Sequence, residues 1–87
     1  MDTPADPTAR EARVVLYGRA GCHLCDRART MLERVREDTG EGFVEVDIDA
    51  DDTLRERYGE LVPVVTVDGV QQGYWRIDAG RVRAALG

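Results

Sequence analysis

The chain has 87 residues, of which 43% are hydrophobic and 33% are charged, and its formal net charge at pH 7 is −5. This length suits one domain with one compact core, and the composition is typical of a folded chain with a well-solvated surface rather than of a disordered one. The basic residues are scattered along the chain. They argue against nucleic acid as a partner, because phosphate binding needs a concentrated positive patch.

The first residues, MDTPADPTAREA, contain acids and prolines but no hydrophobic stretch, so they do not resemble a secretory signal peptide. No apolar run approaches the roughly 20 residues that a membrane span needs. We therefore predict a disordered lead-in over residues 1–12, one domain over residues 13–87, and a cytoplasmic protein that binds no membrane. Thiols are kept reduced in that compartment, which makes a purely structural disulfide unexpected.

The first half of the domain shows a strand, a helix and a second strand. Residues 13–18, RVVLYG, are an apolar run ended by glycine, which predicts a buried strand. Apolar side chains then recur at helical spacing between residues 24 and 35 and predict a helix from residue 22 or 23 to residue 37. Gly40 and Gly42 mark the end of this helix. Residues 43–48, FVEVDI, alternate and predict a strand parallel to the first through a right-handed crossover.

A short second helix is predicted over residues 52–58, with Asp51 as its N-cap and Gly59 as its C-terminal stop.

The acidic run at residues 47–52 also raises the question of a calcium site. An EF-hand loop would need glycine at position 52 and glutamate at position 58, where this sequence has aspartate and tyrosine. A strand end followed by a helix cap is the interpretation we favour.

The last third predicts a hairpin and a helix. Asp68-Gly69 separates two apolar segments, residues 64–67 and those from Val70 onward, and suits a two-residue type I′ turn. Asp78 is predicted to cap a last helix that ends at residue 86. The order β-α-β-α-β-β-α predicts an α/β domain in which a four-stranded mixed sheet is flanked by helices on both faces.

Both cysteines of the chain lie in Cys22-His23-Leu24-Cys25. A tetrahedral structural zinc site needs four ligands, whereas this motif offers three and holds its histidine between the cysteines, so only a site shared by two chains would be complete. A purely structural disulfide would close a loop of a few residues and would stabilise the fold little. We therefore predict no metal in a single chain and favour a redox-active dithiol.

The helix start assigns different roles to the two cysteines. Backbone N–H groups and the helix dipole favour a thiolate at a helix N-terminus. Cys25 shares a helical face with Ala28 and Leu32 and is predicted to point inward. Cys22 precedes the regular helix and is predicted to be exposed. We therefore predict that Cys22 is the nucleophile and that Cys25 resolves the mixed disulfide.

Two residues, one inside the motif and one shortly before it, are candidates to stabilise a thiolate on Cys22. A protonated His23 would lie beside Cys22, although we favour the simpler interpretation of an exposed residue in the first helical turn. Arg19, three residues before Cys22, offers a fixed positive charge for the sulfur or for a substrate carboxylate.

The segment GRAGCHLC at a helix start, followed later by LVPVV and the Asp-Gly hairpin, resembles the glutaredoxin branch of the thioredoxin fold. More narrowly, it is similar to small glutaredoxin-like proteins with a Cys-His-Leu-Cys motif, and the resemblance covers residues 13–86. It implies a thiol–disulfide oxidoreductase, with a cis peptide bond between Val62 and Pro63 that faces the sulfurs. It also implies that backbone groups of Val62 receive the substrate. No cofactor is expected to stay bound, and an external thiol or a protein reductase supplies the electrons.

The sequence departs from the glutathione-using members of that family. Those members carry an aromatic residue where this chain has Leu24, and they have a paired-glycine segment and an acidic residue before the last helix. Here the segment reads QQGYWRID, so one glycine remains and Tyr74 and Trp75 replace small residues. Asp78 matches the acidic residue, or is a plain N-cap. We expect weak coupling to glutathione, with a reductase or a different low-molecular-weight thiol as the better donor.

The expected protein is thus a monomer that reduces disulfides of proteins or of small thiols. The alternative is a non-catalytic thioredoxin-like binding module whose cysteines are vestigial or bind metal in a dimer. A reduction potential within reach of cytosolic donors, roughly −200 to −300 mV, would favour the enzyme.

Overall fold

The computed structural model describes residues 12–87, so the predicted lead-in lies outside the described residues except for its last residue. A mixed sheet carries three helices, in the predicted order β-α-β-α-β-β-α. The strands are β1 (Val14–Gly18), β2 (Phe43–Asp47), β3 (Val64–Val67) and β4 (Val70–Tyr74). The helices are α1 (His23–Thr39), α2 (Asp52–Tyr58) and α3 (Ala79–Leu86), and a 3₁₀ turn covers Ile48–Ala50.

The strand order in the sheet is β2-β1-β3-β4. β1 pairs parallel with β2, as the βα unit predicts, while β3 runs antiparallel to both β1 and β4. The buried residues of the sheet all lie in the two central strands, β1 and β3, and every residue of β3 is buried. The predicted α/β class and thioredoxin-like architecture are confirmed.

Helices cover both faces of the sheet. On one face, α1 and α3 pack on inward side chains of β1 and β3, and the buried cluster there comprises Val14, Leu16, Ala28, Leu32, Val35, Val65, Val67 and Val82. On the other face, α2 and the 3₁₀ turn form a smaller cluster around Ile48, Tyr58 and Val64. Val64 belongs to the smaller cluster whereas Val65 and Val67 belong to the larger one, because successive side chains in a strand point to opposite faces.

The β3–β4 hairpin turns through Asp68 and Gly69, whose φ angles are 52° and 82°. Positive φ at both central residues is the signature of the predicted type I′ turn, which matches the twist of the flanking strands. The start of the domain is tied to this turn, since the Asp68 N–H donates to the Arg13 carbonyl at 2.8 Å.

Helix α1 ends two residues later than the sequence pattern predicts. The Thr39 hydroxyl donates to the Val35 carbonyl at 2.7 Å and accepts from the Glu41 N–H at 3.1 Å, which extends the last turn. Gly40 then ends the helix with φ 81°, and its N–H donates to the Arg36 carbonyl at 2.8 Å. The helix therefore ends at Gly40, as predicted, but the side chain of Thr39 extends its last turn.

Helix α2 has the predicted bounds and the predicted cap. The Asp51 carboxylate accepts the backbone N–H groups of Thr53 and Leu54 at 2.8 and 3.3 Å. The strand before it is one residue shorter than predicted, because the Asp47 carboxylate accepts the Asp49 N–H at 2.9 Å and begins the 3₁₀ turn. No helix among residues 12–87 is long and apolar enough to cross a membrane.

Candidate functional site

Cys22 occupies the N-cap of α1, directly before its first helical residue. Its Sγ accepts a hydrogen bond from the Cys25 N–H at 3.2 Å, and its carbonyl accepts the Asp26 N–H at 3.1 Å. The Cys22 side chain is half-buried. A sulfur that solvent can reach therefore lies at the N-terminal end of the longest helix, where backbone N–H groups are directed toward it.

Cys25 lies one turn further along α1 and is fully buried, with 0% of its surface exposed. Both cysteines are free thiols. Burial raises the pKa of Cys25 to about 12, and its hydrogen bond with the Cys22 side chain acts in the same direction. The nearby Glu45 carboxylate adds to this effect, whereas the backbone of Arg19 opposes it. Cys25 is therefore held as a neutral thiol in the reduced protein at neutral pH.

Gly18, the last residue of β1, makes room for the Cys25 thiol. A Cβ atom at position 18 would lie 3.1 Å from the Cys25 Sγ and 3.4 Å from its Cβ. In the sequence, this glycine marks only the end of a strand. Its second role, which depends on the close approach of β1 and α1, has no signature in the local sequence.

A charged network links α1 to β2 beside the buried thiol. Arg29 donates through Nε and Nη2 to the two carboxylate oxygens of Glu45 at 2.7 and 2.6 Å, and through Nη1 to Asp26 at 2.8 Å. The Glu45 Oε2 atom would lie 3.9 Å from a Cβ on Gly18. Arg29 thus compensates the carboxylate that lies nearest the space occupied by Cys25.

Arg19 is held by its own protein. Its guanidinium binds Asp49 through two hydrogen bonds of 2.6 and 3.3 Å and donates to the Gly59 carbonyl at 3.1 Å. The same pairing lowers the pKa of the Asp49 carboxyl. Cys22 is among the groups that raise the pKa of Arg19, after the larger effect of Asp49, so the guanidinium lies within electrostatic reach of the sulfur. These contacts account for Arg19 without a substrate, and its role in substrate binding stays a prediction.

The remaining predicted residues around the motif fall in different environments. His23 is exposed at the first position of α1. Asp78 caps α3, since its carboxylate accepts the Gly80 N–H at 2.9 Å. The cap interpretation of Asp78 is therefore confirmed, and a contact with substrate stays a prediction.

The chain before β3 contains the predicted proline. The peptide bond between Val62 and Pro63 is cis, and Pro63 is buried while Val62 is half-buried. The backbone groups of Val62 take part in no hydrogen bond among residues 12–87. An unpaired N–H and C=O beside a surface hollow are free to bind an extended chain.

Leu24 and Trp75 both line a surface groove that we call the aromatic groove. Its larger hollow has a volume of about 490 Å³ and opens beside Val62. The smaller one runs along α1, where Arg27 follows Leu24 by one helical turn. Together the two hollows are lined by Leu24, Arg27, Ala28, Val62, Tyr74, Trp75, Arg76 and Ile77.

Trp75 is fixed in place although about half of it is exposed. Its φ angle is 61°, a left-handed conformation that bulky residues rarely adopt. The Trp75 N–H donates to the Leu61 and Pro63 carbonyls at 3.2 and 2.9 Å, and the indole Nε1–H donates to the Glu60 carbonyl at 2.8 Å. The Tyr74 ring meets the indole edge-on, with the ring centroids 5.2 Å apart. Sequence reasoning noted these two aromatic residues as bulky replacements and missed that they form a groove wall.

No group of three or more histidine, cysteine, aspartate or glutamate side chains in the part of the chain that the structure describes is arranged to hold a metal ion.

This arrangement, a Cys-x-x-Cys pair at a helix start on a four-stranded mixed sheet flanked by three helices, defines the class of thioredoxin-fold proteins. Residues 13–87 match the model of the family described as glutaredoxin-like domain (DUF836), and the chain belongs to that family.

The chain is also similar to a curated protein and to solved structures. An uncharacterised protein of Mycobacterium tuberculosis (strain H37Rv) is 34% identical over 79 residues, covering 85% of this chain and 81% of that protein. A crystal structure from X. campestris is 40% identical, with a TM-score of 0.69 over 84% of this chain and 93% of that one. Reduced Escherichia coli glutaredoxin is 28% identical, with a TM-score of 0.58 over 82% of this chain and 88% of that one.

Proposed function

We propose that this protein is a thiol–disulfide oxidoreductase that reduces disulfides of proteins or small thiols. The observation that carries the proposal is the difference in burial between two cysteines that lie within one helical turn. Cys22 is half-buried at the N-cap, whereas Cys25 is fully buried and its pKa is raised to about 12. A disulfide substrate meets Cys22 first, and Cys25 stays protonated until a bond forms next to it.

In the first step, the Cys22 thiolate attacks one sulfur of the substrate disulfide. The new S–S bond joins Cys22 to the substrate, the old S–S bond breaks, and the released thiolate takes a proton from solvent. In the second step, Cys25 gives up its proton and attacks the Cys22 sulfur, which releases the second substrate thiol. The protein is oxidised by two electrons to the Cys22–Cys25 disulfide and the substrate is reduced by the same two.

Two further groups support the binding of the substrate. The unpaired backbone groups of Val62 are suited to pair with an extended chain on one side of the reacting sulfur. Leu24, two residues after Cys22, offers apolar surface on the other. An external reductant, either a dithiol protein or two equivalents of a low-molecular-weight thiol, then returns the disulfide to the dithiol. We expect glutathione to serve weakly, because Leu24 and Trp75 stand where glutathione-using relatives carry other residues.

Trapping on single-cysteine variants tests the proposal. Cys22→Ser is expected to abolish disulfide reduction, and Cys25→Ser to accumulate a mixed disulfide on Cys22 when it is incubated with a disulfide substrate. Peptide mapping by mass spectrometry locates the adduct. An adduct on Cys25 in the Cys22→Ser variant that forms as fast as the adduct on Cys22 would overturn the assignment of roles.

A further inference from the structure

We propose that the aromatic groove selects protein disulfides in which a large apolar side chain and an acidic side chain lie next to the half-cystine. The inference rests on the proposed function and names its substrate class. The occupant is an extended segment of a protein substrate whose disulfide reaches Cys22.

The preference for a large apolar side chain in the substrate comes from aromatic side chains of the groove that are exposed. Trp75 is 52% exposed and Tyr74 is 46% exposed. Three hydrogen bonds hold the backbone and the indole of Trp75 in place, so this wall loses little side-chain freedom when a ligand covers it. Leu24 lines the same hollow of about 490 Å³, a size that accepts one large apolar side chain together with backbone.

The preference for an acidic side chain in the substrate comes from the positive charge of the groove. Among residues 12–87, the charged residues that line the groove are Arg27 and Arg76, and no carboxylate of these residues lines it. Neither arginine belongs to an ion pair among residues 12–87, whereas Arg19 and Arg29 each bind a carboxylate. The groove is thus a local positive site on a chain whose net charge is −5. Such a site attracts an anionic ligand and rejects a cationic one.

Both properties together favour a peptide segment over glutathione. Glutathione brings carboxylates to the two arginines but has no apolar side chain to cover Trp75 and Leu24. A protein segment with phenylalanine or leucine on one side of the half-cystine and glutamate or aspartate close by satisfies both. Its backbone can also pair with the free groups of Val62.

Three matched peptides test the inference. Each carries one cysteine in a mixed disulfide with 2-mercaptoethanol. The first has phenylalanine and glutamate beside the cysteine, the second has serine in place of phenylalanine, and the third has glutamine in place of glutamate. Single-turnover reduction by the dithiol protein, quenched with acid and resolved by chromatography, gives a second-order rate constant for each. We expect the serine peptide to react about tenfold more slowly. The glutamine peptide should react about threefold more slowly at low salt, and this difference should disappear at high salt.

Variants of the groove assign the preferences to its walls. Trp75→Ala should remove most of the preference for phenylalanine over serine, and Trp75→Phe should keep most of it. Arg27→Gln should remove part of the preference for glutamate, whereas Arg34→Gln, an exposed arginine further along the same helix, should leave the ratio as it is. If Trp75→Ala does not fold, the peptide series on the parent protein and the arginine pair still decide the question.

A binding measurement separates the inference from the proposed chemistry. Trp75 is the single tryptophan of the chain and lies in the groove, so its fluorescence reports binding of the S-methylated peptides to the Cys22→Ser/Cys25→Ser protein. Hydroxyethyl disulfide, which lacks both side chains, serves as the substrate that tests chemistry alone. If no disulfide is reduced but the phenylalanine–glutamate peptide binds most tightly, the proposed function fails and the inference about the groove holds. Equal rate constants and equal affinities for all three peptides would overturn the inference, whatever the rate with hydroxyethyl disulfide.

Discussion

At the scale of single residues, the two sulfurs of the motif meet solvent very differently although they are only three positions apart. Cys22 is half-buried at the helix cap, and Cys25 is enclosed between α1 and β1. The enclosure depends on Gly18, whose missing side chain leaves the space that the thiol fills. Two predictions at this scale follow from the burial of Cys25 and from the space beside it.

The first concerns pH. We expect the reduced protein to lose stability as pH rises from about 9 to 12, because burial raises the pKa of Cys25 from 9.0 to about 12. In that interval the unfolded chain releases a proton that the folded chain retains, so rising pH favours unfolding, by at most about 1.4 kcal/mol per pH unit. The stabilisation that comes from the buried thiol is complete below a pH of about 9 and is lost progressively as the pH rises to about 12. Urea unfolding at pH 8 and pH 10 measures the loss.

The control for this measurement is the Cys25→Ser variant. Burial also raises the pKa of the Tyr17 phenol, so Tyr17 contributes its own loss of stability at high pH. The difference between the parent protein and the variant therefore isolates the thiol. An identical loss of stability in both proteins would show that Cys25 ionises as easily in the folded chain as in the unfolded one.

The second concerns Gly18→Ala. The added methyl group would lie 3.1 Å from the Cys25 Sγ, closer than ordinary packing permits, so the thiol or the helix must shift. We expect a loss of about 1–3 kcal/mol in the free energy of unfolding, and slower release of substrate from the mixed disulfide on Cys22. Gly42→Ala is the matched control, because its Cβ would meet only the Arg36 side chain, at 3.9 Å. Equal effects of the two substitutions on both measurements would contradict this account.

At the scale of secondary-structure elements, each helix begins at a side chain that accepts backbone N–H groups. A cysteine does this for α1, and aspartates do it for the two shorter helices. The use of cysteine is informative, since the residues most favoured at this position are Ser, Thr, Asp and Asn. Under the proposed function, the cap of α1 serves chemistry as well as helix formation, whereas helix formation is enough to explain the aspartate caps of α2 and α3 unless Asp78 also contacts the substrate.

The prediction for α3 separates these two roles at Asp78. Asp78→Ala removes the acceptor for the Gly80 N–H and should lower the free energy of unfolding by about 1 kcal/mol. Asp78→Asn keeps a good cap and should keep the stability. Chemical denaturation measures both variants, and disulfide reduction is assayed beside it. Full stability in Asp78→Asn together with a large loss of disulfide reduction would give Asp78 the substrate role that the family resemblance implies.

At the scale of the whole molecule, Arg13 joins segments that are distant in sequence. Its guanidinium binds both carboxylate oxygens of Asp68 at 2.9 and 2.8 Å and donates to the Leu86 carbonyl at 3.2 Å. A looser ion pair reaches Glu41 at 3.8 Å. The start of β1, the hairpin, the loop after α1 and the end of α3 thus meet at one side chain.

We expect Arg13→Gln to lower the urea midpoint of unfolding, and the loss to shrink in high salt, because these contacts are partly exposed and salt screens them. Arg81→Gln, an exposed arginine of α3 outside the ion pairs of residues 12–87, is the control and should leave the midpoint nearly unchanged. A loss in Arg13→Gln that does not depend on salt would indicate that the hydrogen bond to the Leu86 carbonyl matters more than the charge.

The regular elements could be predicted because each carries local signals. Asp51 and Asp78 mark helix starts, Asp68-Gly69 marks the hairpin, and the alternation of residues 43–48 marks a strand. These signals act within a few residues, so a single sequence contains them. The helix face that holds Cys25 was predictable for the same reason.

The groove and the partners of the charged residues could not be predicted, because they depend on contacts across the fold. The Trp75 indole bonds to a carbonyl 15 residues away, and Arg19 bonds to Asp49 at a separation of 30. No local pattern indicates which arginine finds a carboxylate and which stays available. Arg27 had one usable signal, its position one turn after Leu24, which would have placed it beside the motif.

The hydrogen bond from the Cys25 amide to the Cys22 sulfur has a consequence for damage by peroxide. Peroxide oxidises an accessible thiolate to a sulfenic acid, and a second oxidation makes the irreversible sulfinic acid unless a neighbouring thiol condenses first. Cys25 is that neighbour, shielded from the oxidant by its own burial. We expect hydrogen peroxide to convert the parent protein to the intramolecular disulfide, and Cys25→Ser to the sulfinic acid on Cys22, two products that intact-mass spectrometry distinguishes. If this expectation holds, the buried cysteine diverts the oxidised Cys22 into a disulfide that a reductant of the protein can reverse, and the irreversible product is avoided because Cys25 is itself protected by burial.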